Sequence, residues 1–567
     1  MFRSVLRKPL SSTFITCALR NSIIMKRHIN SEVILNDTEK KIRSLLVDFC
    51  DTYNQSKTED LLELRITGGW VRDKLLGNHS NDLDIAINHL SGEEFAAHLF
   101  EFAESKYPQL TLNSIHTIKK NPEKSKHLET CTTKLYGLDI DFVNLRSEEY
   151  TSDSRVPVIE CGTAEEDALR RDATLNALFY NLNKDIIEDF TGRGLQDLQD
   201  GILRTPLQPL QTFLDDPLRV LRLIRFASRF DFIVENETLQ AMTNSDIKST
   251  LVHKISRERV GIEVEKILMS NNPQYGLKLI NYVGLTDSIF NAGVLSSTIT
   301  EVNENALINE LNTKTQEIPA VLDIATEFLK SFKNEIQHFP KLSTIFNEIM
   351  INNKQTQKLF WLTVILQPYG DLRVRINAKK PNLNRLTEVI LKEGLRLGKH
   401  EFEAVSNAVS RTVLEHTTLD NYFDDPTSIS RSTLGLYLKG CGPYANLNIL
   451  LNCFIDLLPH IELVDCPKVP QPILDSGITE SSIGALKSCL NNYEQLCLDI
   501  EKMGLEDIYS TFKPVVDGKT LLAALQRKPG PWLGRVNEQV LIWQLDHPNG
   551  TPEECIEHVK SILHQYV

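Results

Sequence analysis

The chain has 567 residues, of which 41% are hydrophobic and 24% are charged, so it is long enough to bury several hydrophobic cores. This composition excludes disordered, collagen-like and disulfide-stapled proteins, and the lack of a run of about 18 apolar residues predicts no membrane-spanning helix. The net charge of -13 excludes a generic polyanion binder, so any contact with nucleic acid must come from a local basic surface.

The first 30 residues carry arginine, lysine and serine but no acidic residue, since the first acid is Glu32. Basic and apolar residues interleaved in this way are typical of a mitochondrial transit peptide. A disordered basic tail would have the same composition and is the alternative. Met25 offers a second start that skips most of the segment, so we expect the product in the mitochondrion and the cytoplasm, and also in the nucleus.

The residues after this segment predict an α+β head followed by a long all-α remainder. Apolar residues recur with helical spacing at 36–53, and an alternating strand pattern at 62–67 leads into a glycine pair. Next come a short helix at 70–76, a strand at 83–87, a helix at 93–104, a loop or hairpin at 111–135, and strands at 137–145, 177–181 and 185–188. Beyond about residue 210 we predict helices at 215–230, 236–245 and 256–270 and no further strand.

The ten cysteines do not form any Cys-x-x-Cys pair. The spacing of the cysteines therefore gives no indication of a zinc site. Reduced thiols in an intracellular protein are the expected state.

Two aspartates, Asp82 and Asp84, stand two positions apart at a predicted strand, so their carboxylates share one face about 6.6 Å apart. Like charges this close favour a divalent counter-ion, and oxygen ligands with open positions suit Mg²⁺. Asp139 and Asp141 share a face of a later strand, and their spacing does not choose between them as a third carboxylate. An Asp-x-Asp pair is common on surfaces, so the order strand, glycine pair, helix and acidic strands is the more specific signal.

The glycine pair Gly68-Gly69 would let the backbone approach a phosphate closely, with the N–H groups of the next helix directed at it. Arg72, one turn into that helix, can add a planar pair of donors to a triphosphate. The alternative is that the glycines only end a strand.

The segments GGWVRD (68–73) and NDLDIAI (81–87) resemble the signature of nucleotidyltransferases. In detail they resemble the eukaryotic type of class II tRNA CCA-adding enzymes, in the tRNA nucleotidyltransferase/poly(A) polymerase family. Further blocks follow in the family's order, RRDATLNA at 170–177, DDPLRVLR at 215–222 and SRER at 256–259. The resemblance covers about 62–270 and is specific because the blocks keep that order.

The resemblance implies a nucleotidyltransferase-type head, a small mixed sheet with helices, followed by a helical neck, body and tail. The expected divisions are a targeting segment at 1–30, a catalytic head at 31–200, a neck with the nucleotide-selecting helix at 201–285, a body at 286–430 and a tRNA-binding tail at 431–567. Oligomeric state does not follow from the sequence.

The resemblance also implies the site residues. The positions of Asp82 and Asp84 hold the metal ions in the family, and Asp141 aligns with the third acid, which would help to activate the RNA 3′-hydroxyl. Arg171 and Asp172 would contact the ribose and support the pocket. The full set of implied nucleotide-binding residues is Gly68, Gly69, Arg72, Arg171, Asp172, Asn176, Asp216, Arg219, Arg222 and Arg225.

Four arginines of the predicted helix 215–230 are spaced three or four residues apart and so share one face. They are Arg219, Arg222, Arg225 and Arg229. By itself such a face is a solvated stripe or a set of partners for nearby acids. The resemblance implies instead that Asp216 and Arg219 read the base edge, while the next two arginines neutralise phosphates. Cytosine and adenine both offer an amino donor beside a ring acceptor, so this pair would admit CTP and ATP and reject UTP and GTP.

The segment from Val516 to Gly534 has a turn-rich basic tip before a helix and resembles a tail element of the family. Lys528 and the backbone at Gly530 would bind an RNA phosphate. The alternative is a packing corner between two helices.

These features predict a Mg²⁺-dependent enzyme that adds and repairs the 3′-terminal CCA of tRNA, uses CTP and ATP, and releases pyrophosphate. One alternative is a bacterial-type poly(A) polymerase on the same scaffold, which would not stop after three nucleotides. The other is a non-catalytic tRNA-binding protein, which would not need three carboxylates.

Overall fold

The computed structural model describes residues 27–110, 116–118, 130–149, 158–290, 305–370, 372–376, 382–414, 417–464, 469–472 and 477–566. Within them the chain divides into two compact units. The N-terminal unit contains the described residues up to Ser288 and the short segment 470–472, and the C-terminal unit contains the other described residues from Ile289 onward. Most of the predicted targeting segment and the middle of the predicted loop or hairpin lie outside the described residues. None of the described helices is both long enough and apolar enough to cross a membrane.

The N-terminal unit combines helices with short strands, and the boundary falls inside its last helix. Its elements are α1 (Asp37–Asn54), β1 (Leu64–Thr67), α2 (Gly69–Leu75), β2 (Leu83–Ile87), α3 (Gly92–Lys106), β3 (His116–Ile118), β4 (Thr130–Leu135), β5 (Leu138–Asn144), β6 (Arg146–Glu149), β7 (Val158–Cys161), α4 (Ala164–Leu169), β8 (Leu178–Asn181), β9 (Ile186–Asp189), α5 (Gly194–Asp200), β10 (Ile202–Leu203), α6 (Pro209–Asp215), α7 (Leu218–Phe230), β11 (Ile233–Val234), α8 (Asn236–Met242), α9 (Ser245–Lys254), α10 (Arg257–Leu268), α11 (Pro273–Tyr282) and α12 (Thr286–Phe290).

Seven of the described strands form one mixed sheet in the order β3-β4-β5-β2-β1-β8-β9. Its neighbours pair antiparallel except β2 and β5, which are parallel. The described ends of the segment predicted as a loop or hairpin are β3 and β4, which pair as antiparallel strands. The predicted α+β class is confirmed, because helices accompany a mixed sheet in the first part of the chain and dominate the second.

Local sequence explains how α1 is placed. Asn36 and Glu39 form a capping box, in which each side chain accepts a hydrogen bond from the other's backbone N–H. Helical spacing puts the apolar side chains of α1 on one buried face: Ile42, Leu45, Leu46 and Phe49. The Glu39 carboxylate also accepts the Lys74 ammonium of α2 at 2.7 Å, and both side chains are buried. A single carboxylate therefore caps one helix and fixes another against it.

The helix predicted at 215–230 is confirmed from Leu218 onward, but its predicted start is wrong, because the structure has a break at Asp216. α6 ends at Asp215, and α7 begins at Leu218. Asp216 is extended (φ -135°, ψ 98°) since the proline that follows it disfavours helical backbone in the preceding residue. Its Oδ1 accepts the Leu218 N–H at 3.1 Å. The break therefore places a carboxylate at the start of α7.

The buried face of α7 packs against α10 and α11. Gly276 of α11 permits this packing, since a Cβ there would lie 2.5 Å from Cγ2 of Ile267 and 3.0 Å from Cβ of Ser228. The arginine-bearing face of α7 is thereby turned toward the rest of the N-terminal unit.

The C-terminal unit is mainly helical. Its elements are α13 (Asn305–Ile336), α14 (Pro340–Asn347), α15 (Lys354–Leu366), β12 (Arg373–Val374), β13 (Asn384–Arg385), α16 (Leu386–Val389), α17 (Lys399–Leu414), α18 (Thr417–Asp424), α19 (Arg431–Gly440), α20 (Ala445–Leu457), β14 (Leu463–Val464), β15 (Gly477–Ile478), α21 (Glu480–Lys502), α22 (Ile508–Thr511), α23 (Gly518–Leu525), α24 (Trp532–Asp546) and α25 (Pro552–Ile562). The strands here, like β11, contradict the expectation of no strand beyond about residue 210. Each has two residues, too few to produce an alternating pattern.

Two apolar centres stabilise the described part of the C-terminal unit. The Phe454 ring of α20 lies 4.9 Å from the ring of Phe328, 5.4 Å from that of Phe332 and 5.1 Å from that of Phe360, measured between centroids. A second, smaller cluster joins α23, α24 and α25 around the side chains of Val516, Leu521, Val536, Val540, Trp543, Cys555 and Val559. The end of the chain thus has its own core.

Glu39→Gln should lower the free energy of unfolding of the N-terminal unit by about 3 kcal/mol, because the Lys74 ammonium would be buried without its counter-charge. A chain of two units does not unfold in one step, so calorimetry should follow the separate transitions. Glu104→Gln removes an exposed glutamate of α3 and should leave the midpoint unchanged. Equal midpoints for the two variants would contradict this prediction.

Candidate active site

Three carboxylates meet where β2 and β5 run side by side. The parallel register pairs Asp84 directly with Asp141, and Asp82 immediately precedes β2. The Asp141 carboxylate is oriented by Thr132, whose hydroxyl donates to Oδ1 at 2.6 Å. Asp139 is instead 75% exposed, with Oδ1 3.4 Å from Nζ of Lys134. The register, which sequence spacing does not reveal, brings Asp141 to the position beside Asp84.

The electrostatics of this cluster fit a cation site. Burial, and then the charges of Asp82 and Asp141, raises the pKa of Asp84 from 3.8 to about 6, while Arg171 opposes the shift. In the described parts of the chain, no group of three or more acidic, histidine or cysteine side chains is arranged to hold a metal ion by itself. Mg²⁺ commonly takes only one or two carboxylates and completes its shell with water and substrate oxygens. The oxygen donors present therefore fit an open divalent site.

The glycine pair lies at the junction of β1 and α2. Gly68 follows β1 with φ 74°, a conformation that favours glycine. A Cβ there would also lie 3.2 Å from Nη1 of Arg171, and one at Gly69 would lie 3.2 Å from Nη2 of Arg72. The absence of side chains at this turn therefore lets two guanidinium groups lie against the backbone.

Arg171 is oriented mainly by contacts from its own segment. Its Nη1 donates to the Asn176 carbonyl at 3.0 Å, and its Nη2 donates to Oδ2 of Asp167 at 2.6 Å. The guanidinium carbon lies 5.1 Å from the centroid of the Phe179 ring. Arg171 is thus held rigidly while half-buried beside the carboxylate cluster.

Arg72 is buried, with an exposed fraction of 4%. Its Nε donates to Oδ1 of Asp73 at 2.9 Å, and its Nη1 donates to Oδ1 of Asn176. Its guanidinium carbon is 4.8 Å from the centroid of the Phe230 ring of α7. These contacts join α2, the 174–176 turn and α7.

Asp172 links the same turn to the arginine face. Its carboxylate accepts Nδ2 of Asn176 at 2.9 Å and Nε of Arg222 at 2.6 Å. Burial alone would raise the pKa of this carboxyl, but the Arg222 charge and the two hydrogen bonds lower it to about 2. Asp172 is therefore a charged, structurally engaged group.

The arginine face of α7 is paired with acids rather than freely solvated. Glu263 of α10 accepts Nε of Arg225 at 2.6 Å and lies 3.7 Å from Nη1 of Arg222. Arg229 lies 3.3 Å from Asp73. This agrees with the alternative in which the arginines pair with nearby acids, while Arg222, 37% exposed, keeps part of its surface accessible.

Asp216 and Arg219 lie one turn apart at the start of α7. The Arg219 N–H donates to the Asp216 carbonyl at 3.0 Å. The Asp216 carboxylate accepts Nη2 of Arg259, from α10, at 3.1 Å, and Nη2 of Arg219 lies 3.6 Å from Oε2 of Glu148. Both side chains are therefore held from outside their own helix.

Sequence reasoning missed three acids of this network: Asp73, Glu148 and Asp167. Asp167 stands three and four residues before Arg170 and Arg171, a helical spacing that could have revealed it. Asp73 adjoins Arg72 but reaches Arg229 through the fold, and Glu148 meets Arg219 from a strand. Those two contacts join residues far apart in the chain and leave no local pattern.

The two predicted RNA-contacting residues lie in the C-terminal unit, in the turn between α23 and α24. Lys528 is exposed. A Cβ at Gly530 would lie 2.9 Å from Cδ1 of Trp532, so the turn passes close to that ring. The structure thus has a basic corner between packed helices, which agrees with both interpretations of the sequence.

Two family models match successive segments of this chain. A model described as "Poly A polymerase head domain" matches residues 64–204. A second, described as "Probable RNA and SrmB- binding site of polymerase A", matches residues 231–293.

Curated relatives match almost the whole chain. It is 43% identical to the mitochondrial CCA tRNA nucleotidyltransferase of Saccharomyces cerevisiae, over 97% of this chain and 98% of that protein. It is also 43% identical to the Candida glabrata protein of the same name, over 94% of this chain and 97% of that one.

Solved structures show a similar fold. A CCA-adding enzyme in an apo form is 21% identical, with a TM-score of 0.54 over 93% of this chain and 96% of that chain. A CCA-adding enzyme complexed with ATP is 21% identical, with a TM-score of 0.53 over 94% and 95%. At this identity the likeness concerns the fold.

Asp172→Asn should lower stability by about 2 kcal/mol at pH 7, because the lowered pKa represents stabilisation of the charged carboxyl. The folded-state pKa of about 2 lies below the ordinary 3.8, so this contribution is complete above pH 4–5 and is lost as the pH falls toward 2. Unfolding midpoints measured across this range should converge for wild type and variant at the acid end. A constant difference would contradict the prediction, and Asp37→Asn, with a side chain 94% exposed, is the control.

Proposed function

The chain belongs to the CCA tRNA nucleotidyltransferase family, and on this basis we propose that it adds and repairs the 3′-terminal CCA of tRNA with CTP and ATP, releasing pyrophosphate. The observation that carries the proposal is the parallel register that sets Asp84 beside Asp141, next to Asp82. A phosphoryl-transfer site needs concentrated negative oxygens for cations, and the carboxylates at β2 and β5 provide them.

The reaction joins the 3′-oxygen of the RNA to the α-phosphorus of the nucleotide and breaks the bond to pyrophosphate. Positioning and electrostatic stabilisation supply most of the rate in such transfers. Asp141, whose carboxylate accepts a hydrogen bond from the Thr132 hydroxyl, orients the RNA 3′-hydroxyl and helps to activate it for attack. The backbone at Gly68 and Gly69 approaches the phosphates, and Arg171 lies at the same turn to orient the ribose.

Asp82 and Asp84 would hold the divalent cation, which we propose is Mg²⁺. The Asp82 carboxylate is exposed and that of Asp84 is half-buried, and carboxylate oxygens are donors that this ion accepts. The pKa of Asp84 is raised first by burial and then by the negative charges of Asp82 and Asp141, which a cation would balance. Bound there, the ion would neutralise charge on the phosphates and on the reacting oxygens.

Base selection falls to Asp216 and Arg219 at the start of α7. An aspartate accepts from the amino group of cytosine or adenine, and an arginine donates to the adjacent ring acceptor. Because Arg259 and Glu148 contact these two side chains from other elements, the pair is preorganised without a nucleic-acid template.

The other arginines have different proposed parts. Arg72 is buried and supports the pocket by joining α2 to Asn176 and α7 rather than by reaching the triphosphate. Arg222, partly exposed beside Asp172, and Arg225 supply positive charge near the phosphates.

The proposed head spans residues 31–200 and the proposed neck spans 201–285. The proposed body spans 286–430 and the proposed tail spans 431–567. Lys528 and Gly530 are the proposed RNA contacts of the tail. The two yeast relatives are mitochondrial by name, and with the basic residues 1–30 this supports a mitochondrial location. Translation that starts at Met25 would give a chain without most of the targeting segment, and this form would locate to the cytoplasm and the nucleus.

The test of function is one incubation of the full chain with tRNA lacking its last three bases, all four nucleotides and Mg²⁺. Addition of C, C and A followed by a stop is the expected result. Continued addition of A would identify a poly(A) polymerase, and binding without addition would identify a non-catalytic tRNA-binding protein.

Asp84→Ala should lower the rate of nucleotide addition by about a thousandfold or more, because a principal cation ligand is lost. Binding of tRNA, measured by filter retention, should stay within about threefold of wild type, since a carboxylate adds no attraction for phosphate. Asp139→Ala removes an exposed aspartate of the same strand as Asp141 and should keep activity. Near-normal addition by Asp84→Ala would refute the site.

Arg219→Ala should reduce the preference for CTP over UTP by roughly 10- to 100-fold, since one bidentate base contact contributes about 1–3 kcal/mol of discrimination. The measurement is kcat/KM for each nucleotide on the same tRNA. Arg229→Ala, on the same helix but paired with Asp73, should keep the preference. An unchanged preference in Arg219→Ala would exclude this residue as a reader of the base.

A further inference from the structure

Glu148 is an acid of β6 with a buried side chain, and it belongs neither to the proposed cation site nor to the proposed base-reading pair. Its side chain is 6% exposed. β6 pairs with β7 in a two-stranded hairpin and follows β5, the strand of Asp141, after the single residue Leu145. The hairpin therefore continues directly from the catalytic strand.

The two carboxylate oxygens of Glu148 face different partners. Oε1 lies 3.0 Å from Nη1 of Arg170 and 3.2 Å from Nε of Arg146. Oε2 lies 3.6 Å from Nη2 of Arg219. One oxygen is thus anchored by arginines of the N-terminal unit's own scaffold, while the other is directed at the guanidinium proposed to read the base.

The anchor is itself fixed. Nε of Arg170 donates to Oδ1 of Asp167 at 3.0 Å, and the Asp167 side chain is 3% exposed. The order Asp167, Arg170, Glu148, Arg219 alternates negative and positive charge through a buried region. Each charge in such a series stabilises its neighbours, and loss of one leaves the next uncompensated.

The contact between Glu148 and Arg219 acts through charge. Its 3.6 Å is longer than an ordinary N–H···O hydrogen bond of about 2.7–3.2 Å. Asp172 and Asp215 also interact electrostatically with Arg219. Several carboxylates therefore attract the Arg219 guanidinium, and Glu148 is the one that belongs to the β6–β7 hairpin.

We propose that Glu148 is a specificity-determining positioning residue, whose charge sets the orientation of the Arg219 guanidinium and so the choice of base. The inference rests on the proposed function, in which Arg219 reads the nucleotide. It connects the strand that carries Asp141 to the base-reading end of α7 through the β6–β7 hairpin.

The experiment measures kcat and KM for all four nucleotides with full-length Glu148→Gln, which keeps the shape and removes the charge. The preference for CTP over UTP should fall on the order of tenfold, while kcat for CTP changes less. A partly unfolded sample would lower all four rates by the same factor, so the ratio reports positioning rather than folding. An unchanged ratio overturns the inference.

A double variant tests whether Glu148 acts through Arg219. If it does, Glu148→Gln combined with Arg219→Ala should have the same nucleotide preference as Arg219→Ala alone. A further, additive loss would contradict the proposal. Glu148→Asp keeps the negative charge but shortens the side chain by one methylene. Its preference for CTP over UTP should lie between those of wild type and Glu148→Gln. Should Glu148→Gln not fold, a reduced ratio in Glu148→Asp supports the proposal and a wild-type ratio refutes it.

Glu160→Gln is the matched control, because Glu160 is exposed on β7, where it pairs with Ser147 in the same hairpin. It should keep the wild-type ratio, and a loss equal to that of Glu148→Gln would assign the effect to the hairpin and refute a specific role. Failure of wild type to discriminate among nucleotides would instead refute the proposed function. The two failures are therefore distinguishable.

Discussion

Charge pairing along α7 is the interaction on which the arrangement of the N-terminal unit depends. The arginines of this helix meet carboxylates from β6, from the segment after α4, from α2 and from α10. Most of these side chains are buried or half-buried, where an unpaired charge is strongly unfavourable. The pairs therefore fix where the helix lies relative to the sheet, and packing of its apolar face on α10 and α11 holds it there.

The carboxylate cluster at β2 and β5 shows the opposite arrangement. Asp82, Asp84 and Asp141 concentrate like charge, and Arg171 only partly opposes it. Carboxyl groups whose pKa values are shifted by burial and by neighbouring like charges are typical of functional sites. The head thus separates compensated charge, which orients the helix, from uncompensated charge, which is suited to binding cations and phosphates.

The break before α7 connects the two regions. Pro217 stops α6 and holds Asp216 in an extended backbone, so a carboxylate is presented at the helix start instead of along its side. Arg259 then holds this carboxylate from α10, as Glu148 holds Arg219 from β6. The proposed base-reading pair is supported by rigid elements on two sides, which would define its geometry without a nucleic-acid template.

Local patterns in the sequence were sufficient for the α+β class, the glycine turn, the paired aspartates and the arginine stripe, because each depends on residues a few positions apart. They misplaced the start of the helix predicted at 215–230, where a proline outweighed the apolar period, and they failed for two-residue strands, which have no period. Arg72 also illustrates the limit, since its position one turn into a helix does not reveal its burial against Phe230.

The sequence by itself therefore determined which residue types this protein brings to its chemistry and in what order along the chain. The spacing of Asp139 and Asp141 left the choice between them open, the family resemblance pointed to Asp141, and the strand register placed Asp141 beside Asp84. Only the tertiary structure decided that Glu148 and Glu263 pair with the arginines of α7. The physical reason is that strand register and helix packing join residues distant in the chain, and these contacts are set by the burial of whole faces rather than by any local spacing.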